Sequence, residues 1–208
     1  MTLARTTRVC LPLFVLPLCA LLACQSLPFP EPHLEGNYGE LLRRWTRESE
    51  VYQGLETRAF VQVVFLAPPL VDAQSELVAD VRAEPAPARA RTLARMRAAA
   101  ATPTFFAVVR TPDRNWNDLD SKTSVWRIAI DYGAGQFEPA SVVRMEQPWS
   151  AELQTLYPYL DEYSVAYEIR FPAAATPPPA GSSVQPEPAL TIAGVLGQMK
   201  FDWSVPRS

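Results

Sequence analysis

Residues 124–132, with the sequence SVWRIAIDY, contain the clearest structural signal in the chain. Large apolar side chains alternate there with smaller or polar ones, so every second residue faces the same way in an extended backbone. The apolar series consists of Trp126, Ile128, Ile130 and Tyr132. The alternation predicts a half-buried β-strand, and therefore a sheet with one face against a core.

Turn signals and further strands follow this segment. Gly133-Ala134-Gly135 separates it from residues 137–146 (FEPASVVRME), so residues 124–146 are predicted to form a β-hairpin. Residues 164–171 (SVAYEIRF) show the same alternation and predict another strand. A short helix is expected around residues 150–157, between the hairpin and this strand.

The end of the chain predicts a second hairpin. Two apolar segments, residues 189–193 and 198–205, flank the turn sequence Gly194-Val195-Leu196-Gly197. The core candidates of this hairpin are Leu190, Ile192, Phe201 and Trp203. Because a Pro-rich interval precedes it, we expect the hairpin to close a sheet that begins earlier in the chain.

Upstream of residue 124, two more strands enclose a helical region. Residues 57–66 (TRAFVQVVFL) and 104–110 (TFFAVVR) are rich in Val and Phe, which favours strands. Apolar residues in the interval 70–101 recur instead at helical spacing, and prolines interrupt them near residue 85. The sequence therefore predicts a mainly β fold, an antiparallel sandwich or barrel-like domain, with a helical hairpin inserted around residues 70–101. An α+β fold is the alternative. A short amphipathic helix is expected at residues 38–48.

Composition narrows the function classes. The chain has 208 residues with 48% hydrophobic and 20% charged residues, which is ordinary globular usage. Its net charge of −3 argues against a nucleic-acid partner. A single histidine, His33, excludes most histidine-dependent metal sites and any histidine-based catalytic triad that does not use His33 itself.

The N-terminus has the features of a secretory signal. Arg5 and Arg8 supply a positive start, and residues 9–23 (VCLPLFVLPLCALLA) carry no charge. Fifteen residues of helix span about 22 Å, which is short of the ~30 Å hydrocarbon core of a bilayer. Residues 1–23 are therefore predicted to be a cleaved signal peptide.

The end of the apolar segment, Leu21-Leu22-Ala23-Cys24, resembles the lipobox of bacterial lipoprotein precursors. In that family the cysteine thiol receives diacylglycerol, the preceding peptide is removed, and the new amine is usually acylated. The resemblance implies that Cys24 is the lipidation site and that acyl chains such as palmitate hold the protein on the membrane. Gln25 follows the cysteine, which by family analogy favours the outer membrane over the inner. Cys10 and Cys19 lie in the predicted signal peptide, so no disulfide is expected in the mature protein.

The expected organisation has three parts. Residues 1–23 form the signal peptide, residues 24–36 a lipidated, Pro-rich tether, and residues 37–208 a single β-rich domain. Within that domain, the Pro/Ala-rich interval 172–188 is predicted to be a loop.

An acidic loop and an aromatic cluster are the candidate sites. The loop begins with calcium-loop spacing but lacks the turn glycine at its sixth position and the bidentate glutamate at its twelfth. Its weak Ca²⁺ candidates are Asp113, Asn115, Asn117, Asp118 and Asp120, and the alternative is a plain Asx-turn loop. The ligand-binding candidates are Trp116, Tyr157, Tyr159 and Tyr163, and the alternative is that these rings fill the core.

No sequence motif of a known enzyme class is recognisable, and we expect no cofactor and no catalytic residue. The predicted function is that of a membrane-anchored, non-catalytic lipoprotein of the cell envelope that acts as an interaction or structural component, with an envelope protein as a possible partner. A glycan- or small-ligand-binding module is the first alternative. An envelope hydrolase built from carboxylates is the second.

Overall fold

The computed structural model describes residues 37–133, 135–146, 150–175 and 187–204, which belong to one compact unit. The predicted signal peptide, the tether with Cys24, and most of the Pro/Ala-rich interval lie outside the described residues. The domain has a β-rich α+β fold with two antiparallel sheets, which confirms the prediction of a mainly β architecture.

The first sheet has five antiparallel strands. Across the sheet they are β1 (Thr46–Gln53), β2 (Glu56–Phe65), β3 (Thr104–Arg110), β7 (Val165–Arg170) and β6 (Ser141–Arg144). Strand β3 lies at the centre of this sheet. Its residues from Thr104 to Val109 are all buried, and all of them except Thr104 are apolar, so the strand is covered on both faces. One face of the sheet packs against helices and the other against the second sheet.

The second sheet has four antiparallel strands. In spatial order they are β5 (Gln136–Phe137), β4 (Trp126–Asp131), β8 (Ala189–Gly194) and β9 (Gly197–Asp202). The predicted C-terminal hairpin is present as β8 and β9, and its four core candidates are buried. Strand β9 contacts β1 of the first sheet, so this hairpin joins the two sheets.

The described residues contain four helices. They are α1 (Asn37–Trp45), α2 (Pro68–Val81), α3 (Ala86–Ala99) and α4 (Ala151–Leu156), with short 3₁₀ turns at Arg114–Trp116 and Ala173–Ala175. Helices α2 and α3 form the hairpin expected between β2 and β3, and each begins with a proline in its first turn, where the missing N–H costs nothing.

The arginines of α3 partly pair with acids of α2. Arg89 lies 2.6 Å from Asp80, and Arg97 makes a two-pronged ion pair with Asp72. The guanidinium of Arg97 lowers the pKa of the Asp72 carboxyl. These exposed contacts hold the two helices together and account for part of the charge on α3.

An aromatic cluster fills the space between the sheets. Phe105 of β3 stacks on Phe65 of β2 with ring centroids 5.0 Å apart and meets the ring of Phe171 edge-on. Trp203, just after β9, contacts Phe65 and Phe105, and its indole N–H donates to the carbonyl of Trp45 at 2.8 Å. The C-terminal hairpin is therefore tied to the first sheet through both packing and a buried hydrogen bond.

Two details differ from the sequence-based expectation. The helix predicted for residues 38–48 ends at Trp45, and the polar segment that follows it is strand β1. The hairpin predicted for residues 124–146 is only partly correct, because β4 pairs with the two-residue strand β5 while β6 crosses to the first sheet and pairs with β7. Apolar residues occur in both segments, and the sequence does not tell which sheet each one joins.

Candidate functional site

Two hairpin turns lie side by side at one end of the domain. Strand β1 runs from Arg47 towards the turn at residues 53–56, while β9 runs the opposite way. Arg47 donates to the carbonyl of Asp202 at 2.8 Å, and a Cβ on Gly197 would come within 2.6 Å of the Val51 side chain. The turn at 194–197 therefore packs beside the last residues of β1.

Two loops reach the same end. Arg110, the last residue of β3, pairs with Phe60 near the start of β2, and β7 begins opposite Val109. Trp126, which begins β4, pairs with Gly194 at the end of β8. We define the loop end of the domain as the turns 53–56 and 194–197, the loop 111–125, and residues 161–164.

The loop end carries most of the exposed large apolar side chains. Six large apolar side chains are exposed among the described residues. Four of them lie at the loop end or beside its turns: Tyr52, Leu55, Tyr163 and Val195, with exposures of 59%, 103%, 74% and 88%. The other two, Val81 and Val143, lie on α2 and β6. Exposed apolar side chains gathered in this way are typical of a contact surface.

Two adjoining grooves open at the loop end. The larger has a volume of about 770 Å³, and we call it the arginine groove. Its polar and aromatic lining includes Arg110, Arg114, Arg144, Thr111, Glu162 and Tyr163. The smaller groove, of about 640 Å³, contains Arg58 and Trp116 and shares Thr57, Pro112 and Arg114 with the larger one.

Arg110 is held in place from several sides. Its Nε donates to the Ser164 hydroxyl at 3.0 Å, and one Nη donates to the Tyr159 carbonyl at 2.8 Å and lies 3.0 Å from Asp161. Its guanidinium lies 5.4 Å from the centroid of the Phe60 ring. Partial burial would raise the pKa of Asp161, but the Ser164 hydrogen bond and the charge of Arg110 outweigh it and lower that pKa.

Arg144 is held in a similar way. One Nη donates to the Asn117 carbonyl at 2.6 Å and to the Tyr167 hydroxyl at 3.2 Å, and the guanidinium lies over the Tyr167 ring. Its Nε is 4.0 Å from Asp120. Burial raises the pKa of the Tyr167 phenol, which therefore stays neutral and donates to Asn117.

Arg114 and Thr111 retain free hydrogen-bonding capacity. Arg114 is exposed and its side chain makes no hydrogen bond or ion pair within the part of the chain that the structure describes. The Thr111 hydroxyl is buried and has no hydrogen-bond partner there. A buried hydroxyl without a partner is costly, but this oxygen is shielded from solvent, so Arg114 is the group of the two that a ligand in the groove can reach.

The acidic-loop residues are spread over separate contacts. Asp113 accepts from the Asn115 backbone N–H at the start of the 3₁₀ turn, and Asp118 accepts from Ser124. Asn117 is buried, donates to the Val109 carbonyl and accepts from Tyr167, and Asp120 faces Arg144. The described residues contain no group of three or more His, Cys, Asp or Glu side chains that could hold a metal ion. The calcium site stays a prediction, and hydrogen bonds within the protein account for the loop geometry.

The four aromatic candidates occupy different environments. Tyr157 is buried, stacks on Phe106 with ring centroids 3.9 Å apart, and accepts a hydrogen bond from Gln74. Tyr159 packs half-buried against it. Tyr163 lines the arginine groove and Trp116 lines the smaller one, where Arg58 lies 5.1 Å above its ring. The structure thus brings two of the four candidates to the loop end and places Tyr157 in the core.

The three arginines of the groove were not among the sequence candidates. Arg110 and Arg144 each end a strand, where a charged residue follows apolar ones. That pattern is a usable signal for a side chain at a sheet end, but the strands concerned are far apart in sequence and only the pairing through β7 brings them together.

Comparison with protein-family models, curated proteins and solved structures finds no match for this chain. Within the described ranges, every helix is too short or too polar to cross a bilayer.

Proposed function

We propose that this chain is a membrane-anchored lipoprotein of the bacterial cell envelope whose domain binds a partner through the loop end, without catalysis. The N-terminal sequence that ends at Cys24 supports the anchor, and Gln25 supports the outer membrane as its location. Acyl chains on Cys24 attach the chain to the bilayer, and the domain acts as an interaction component.

The observation that carries the binding role is the concentration of exposed apolar side chains beside the grooves. Tyr52, Leu55 and Val195 project from two adjacent hairpin turns, and each exposes more than half of its surface. Exposing apolar side chains to water is unfavourable, so a group of them at one end of a rigid scaffold favours a partner that covers them. The sheet ends supply that scaffold.

The carboxylate that contacts Arg110 supports a non-catalytic role. A carboxylate hydrolase needs one acid whose pKa is raised so that it can donate a proton at neutral pH. Asp161 has the opposite property, because its contacts with Ser164 and Arg110 lower its pKa and keep it ionised. Asp161 therefore serves to position Arg110.

The anchor is tested by exchanging Cys24. Cys24→Ala should abolish incorporation of radiolabelled palmitate and move the protein from the membrane fraction to the soluble fraction. Cys19→Ala is the matched control, because Cys19 lies in the predicted signal peptide and should leave both readouts unchanged. Equal labelling of the wild type and the Cys24→Ala variant would refute the anchor.

The binding face is tested by site-specific photocrosslinking in intact cells. A photoreactive residue at Leu55 should give discrete crosslinked products, and Val195→Asp in the same chain should reduce them. A photoreactive residue at Val81 is the control, because Val81 is 60% exposed but lies on α2, away from the loop end. Products that are equally abundant from Leu55 and Val81 would refute a specific binding face.

A small-ligand or glycan-binding module is the second candidate. The arginine groove has a volume typical of a small-molecule site, and aromatic rings near hydrogen-bonding side chains suit sugars. Trp116→Ala and Leu55→Asp separate the two functions. If only Trp116→Ala abolishes binding of the natural ligand or partner, the ligand module is favoured. If only Leu55→Asp abolishes that binding, a protein partner is favoured.

A further inference from the structure

We infer that the arginine groove binds a ligand bearing carboxylate groups, which Arg110, Arg114 and Arg144 recognise through directed hydrogen bonds. This inference rests on the proposed function, because it names the chemistry of the ligand that the loop end takes. The carboxylates can belong to an acidic peptide or to an acidic oligosaccharide.

Two of the three guanidinium groups are already positioned. The Nε of Arg110 donates to Ser164, and one Nη contacts Asp161 and the Tyr159 carbonyl. The second Nη of Arg110 makes no hydrogen bond within the described residues. Arg144 likewise uses one Nη for protein contacts and retains the other. A guanidinium that is fixed before binding loses little side-chain entropy when a ligand arrives, so these donors favour binding.

Arg114 completes the set of donors. Arg114 has a free planar guanidinium that can bind both oxygens of a carboxylate at once. Thr111 lines the same groove, although its hydroxyl is buried from solvent. A carboxylate oxygen accepts hydrogen bonds from guanidinium groups, which makes it a better match for the three arginines than a neutral amide or a cation.

The charges around the groove favour a short acidic ligand over a nucleic acid. Arg110 and Arg144 each lie near one acid, Asp161 at 3.0 Å and Asp120 at 4.0 Å, and Glu162 belongs to the lining of the groove. These acids offset part of the positive charge, so the groove is a weak match for a nucleic acid or a polyphosphate, whose closely spaced charges bind to extended positive surfaces. A carboxylate on a short ligand accepts charge-assisted hydrogen bonds from the guanidinium donors, and these are stronger than bonds between neutral groups.

The shared lining of the two grooves favours an extended ligand. Arg114 lies in both grooves, and the Trp116 ring continues the surface beyond it. Tyr163 stands exposed on the other side. A ligand of two or three residues or sugars can place a carboxylate near the arginines while its neighbouring units contact an aromatic ring.

The test measures binding of defined probes to the full-length protein purified from membranes in mild detergent. Tri-glutamate and tri-galacturonate are the acidic probes, and tri-glutamine and trigalactose are their neutral counterparts. Calorimetric titration should show binding of at least one acidic probe and at least tenfold weaker binding of its neutral counterpart. The probe that binds more tightly, peptide or sugar, identifies the source of the carboxylate.

Arg114→Gln should weaken binding of the acidic probe about tenfold or more, since hydrogen bonds to charged groups contribute on that scale. Folding should be unaffected, because Arg114 has no partner in the described part of the chain. Arg91→Gln is the matched control: Arg91 is exposed on α3 and equally unpaired there, so binding should be unchanged.

Two results would overturn the inference: acidic and neutral probes that bind equally or not at all, or an Arg114→Gln variant with wild-type affinity. The proposed function has its own readout in crosslinking from Leu55. Specific crosslinks from Leu55 without binding of a carboxylate probe would refute only the proposed ligand class. Absence of specific crosslinks from Leu55 would refute the proposed binding face.

Discussion

Trp203 joins the C-terminal hairpin to the first sheet, so its removal tests whether the two sheets form one cooperative structure. The side chain is 2% exposed and contacts the rings of Phe65 and Phe105 at centroid distances of 6.0 and 5.4 Å. Its indole N–H also donates to the Trp45 carbonyl. Burial, ring contacts and the hydrogen bond are all lost in Trp203→Ala.

The expected cost of Trp203→Ala is about 3–5 kcal/mol, the range for a large aromatic residue removed from a core. That is a large fraction of the roughly 5–15 kcal/mol that stabilises a typical domain. Trp203→Phe keeps most of the packing and loses the hydrogen bond, so its expected cost is about 1–2 kcal/mol.

Urea unfolding of the purified full chain, followed by far-UV circular dichroism, measures these costs. Tyr163→Ala is the control and should stay within about 0.5 kcal/mol of the wild type, because Tyr163 is exposed. A Trp203→Ala variant that loses less than about 1 kcal/mol would contradict the reasoning. So would two separate unfolding transitions in the wild type, because the hairpin would then unfold independently of the first sheet.

Three further predictions concern the loop end. Gly197→Ala should destabilise the domain by about 2 kcal/mol or more in urea unfolding. The φ of Gly197 is +147°, which disfavours a side chain, and the new Cβ would meet Val51. Adding Val51→Ala should therefore restore part of the lost stability. Asp161→Asn should cost less than about 1 kcal/mol, because the carboxylate is partly exposed. The pKa of Asp161 is lowered in the folded state, so its stabilisation is present above the unfolded pKa of about 4. It should fade as the pH falls further through the folded value, and urea midpoints from pH 2 to 7 measure this. Asn117→Ala should cost about 1–3 kcal/mol by the same urea assay, because the buried Val109 carbonyl and Tyr167 hydroxyl lose a partner.

Local patterns predicted the strands that bury alternate residues. The segments 104–110 and 164–171 correspond closely to β3 and β7, and the turn glycines located the C-terminal hairpin. Strand β1 was missed because its sequence, TRESEVYQ, buries only two of eight side chains and lies beside a helix with similar polarity. Pairing with β2, rather than its own composition, makes this segment a strand.

The candidate site was less predictable, because it depends on contacts between distant segments. Trp116 and Tyr163 could be suspected from their polar surroundings, and both line the grooves. Tyr157 occurs in a similar local sequence, yet it stacks on Phe106 in the core. Arg110 and Arg144 belong to strands that are neighbours only through β7, so no local pattern connects them. The sequence shows which side chains have suitable chemistry, but it does not show which of them lie close together in the fold.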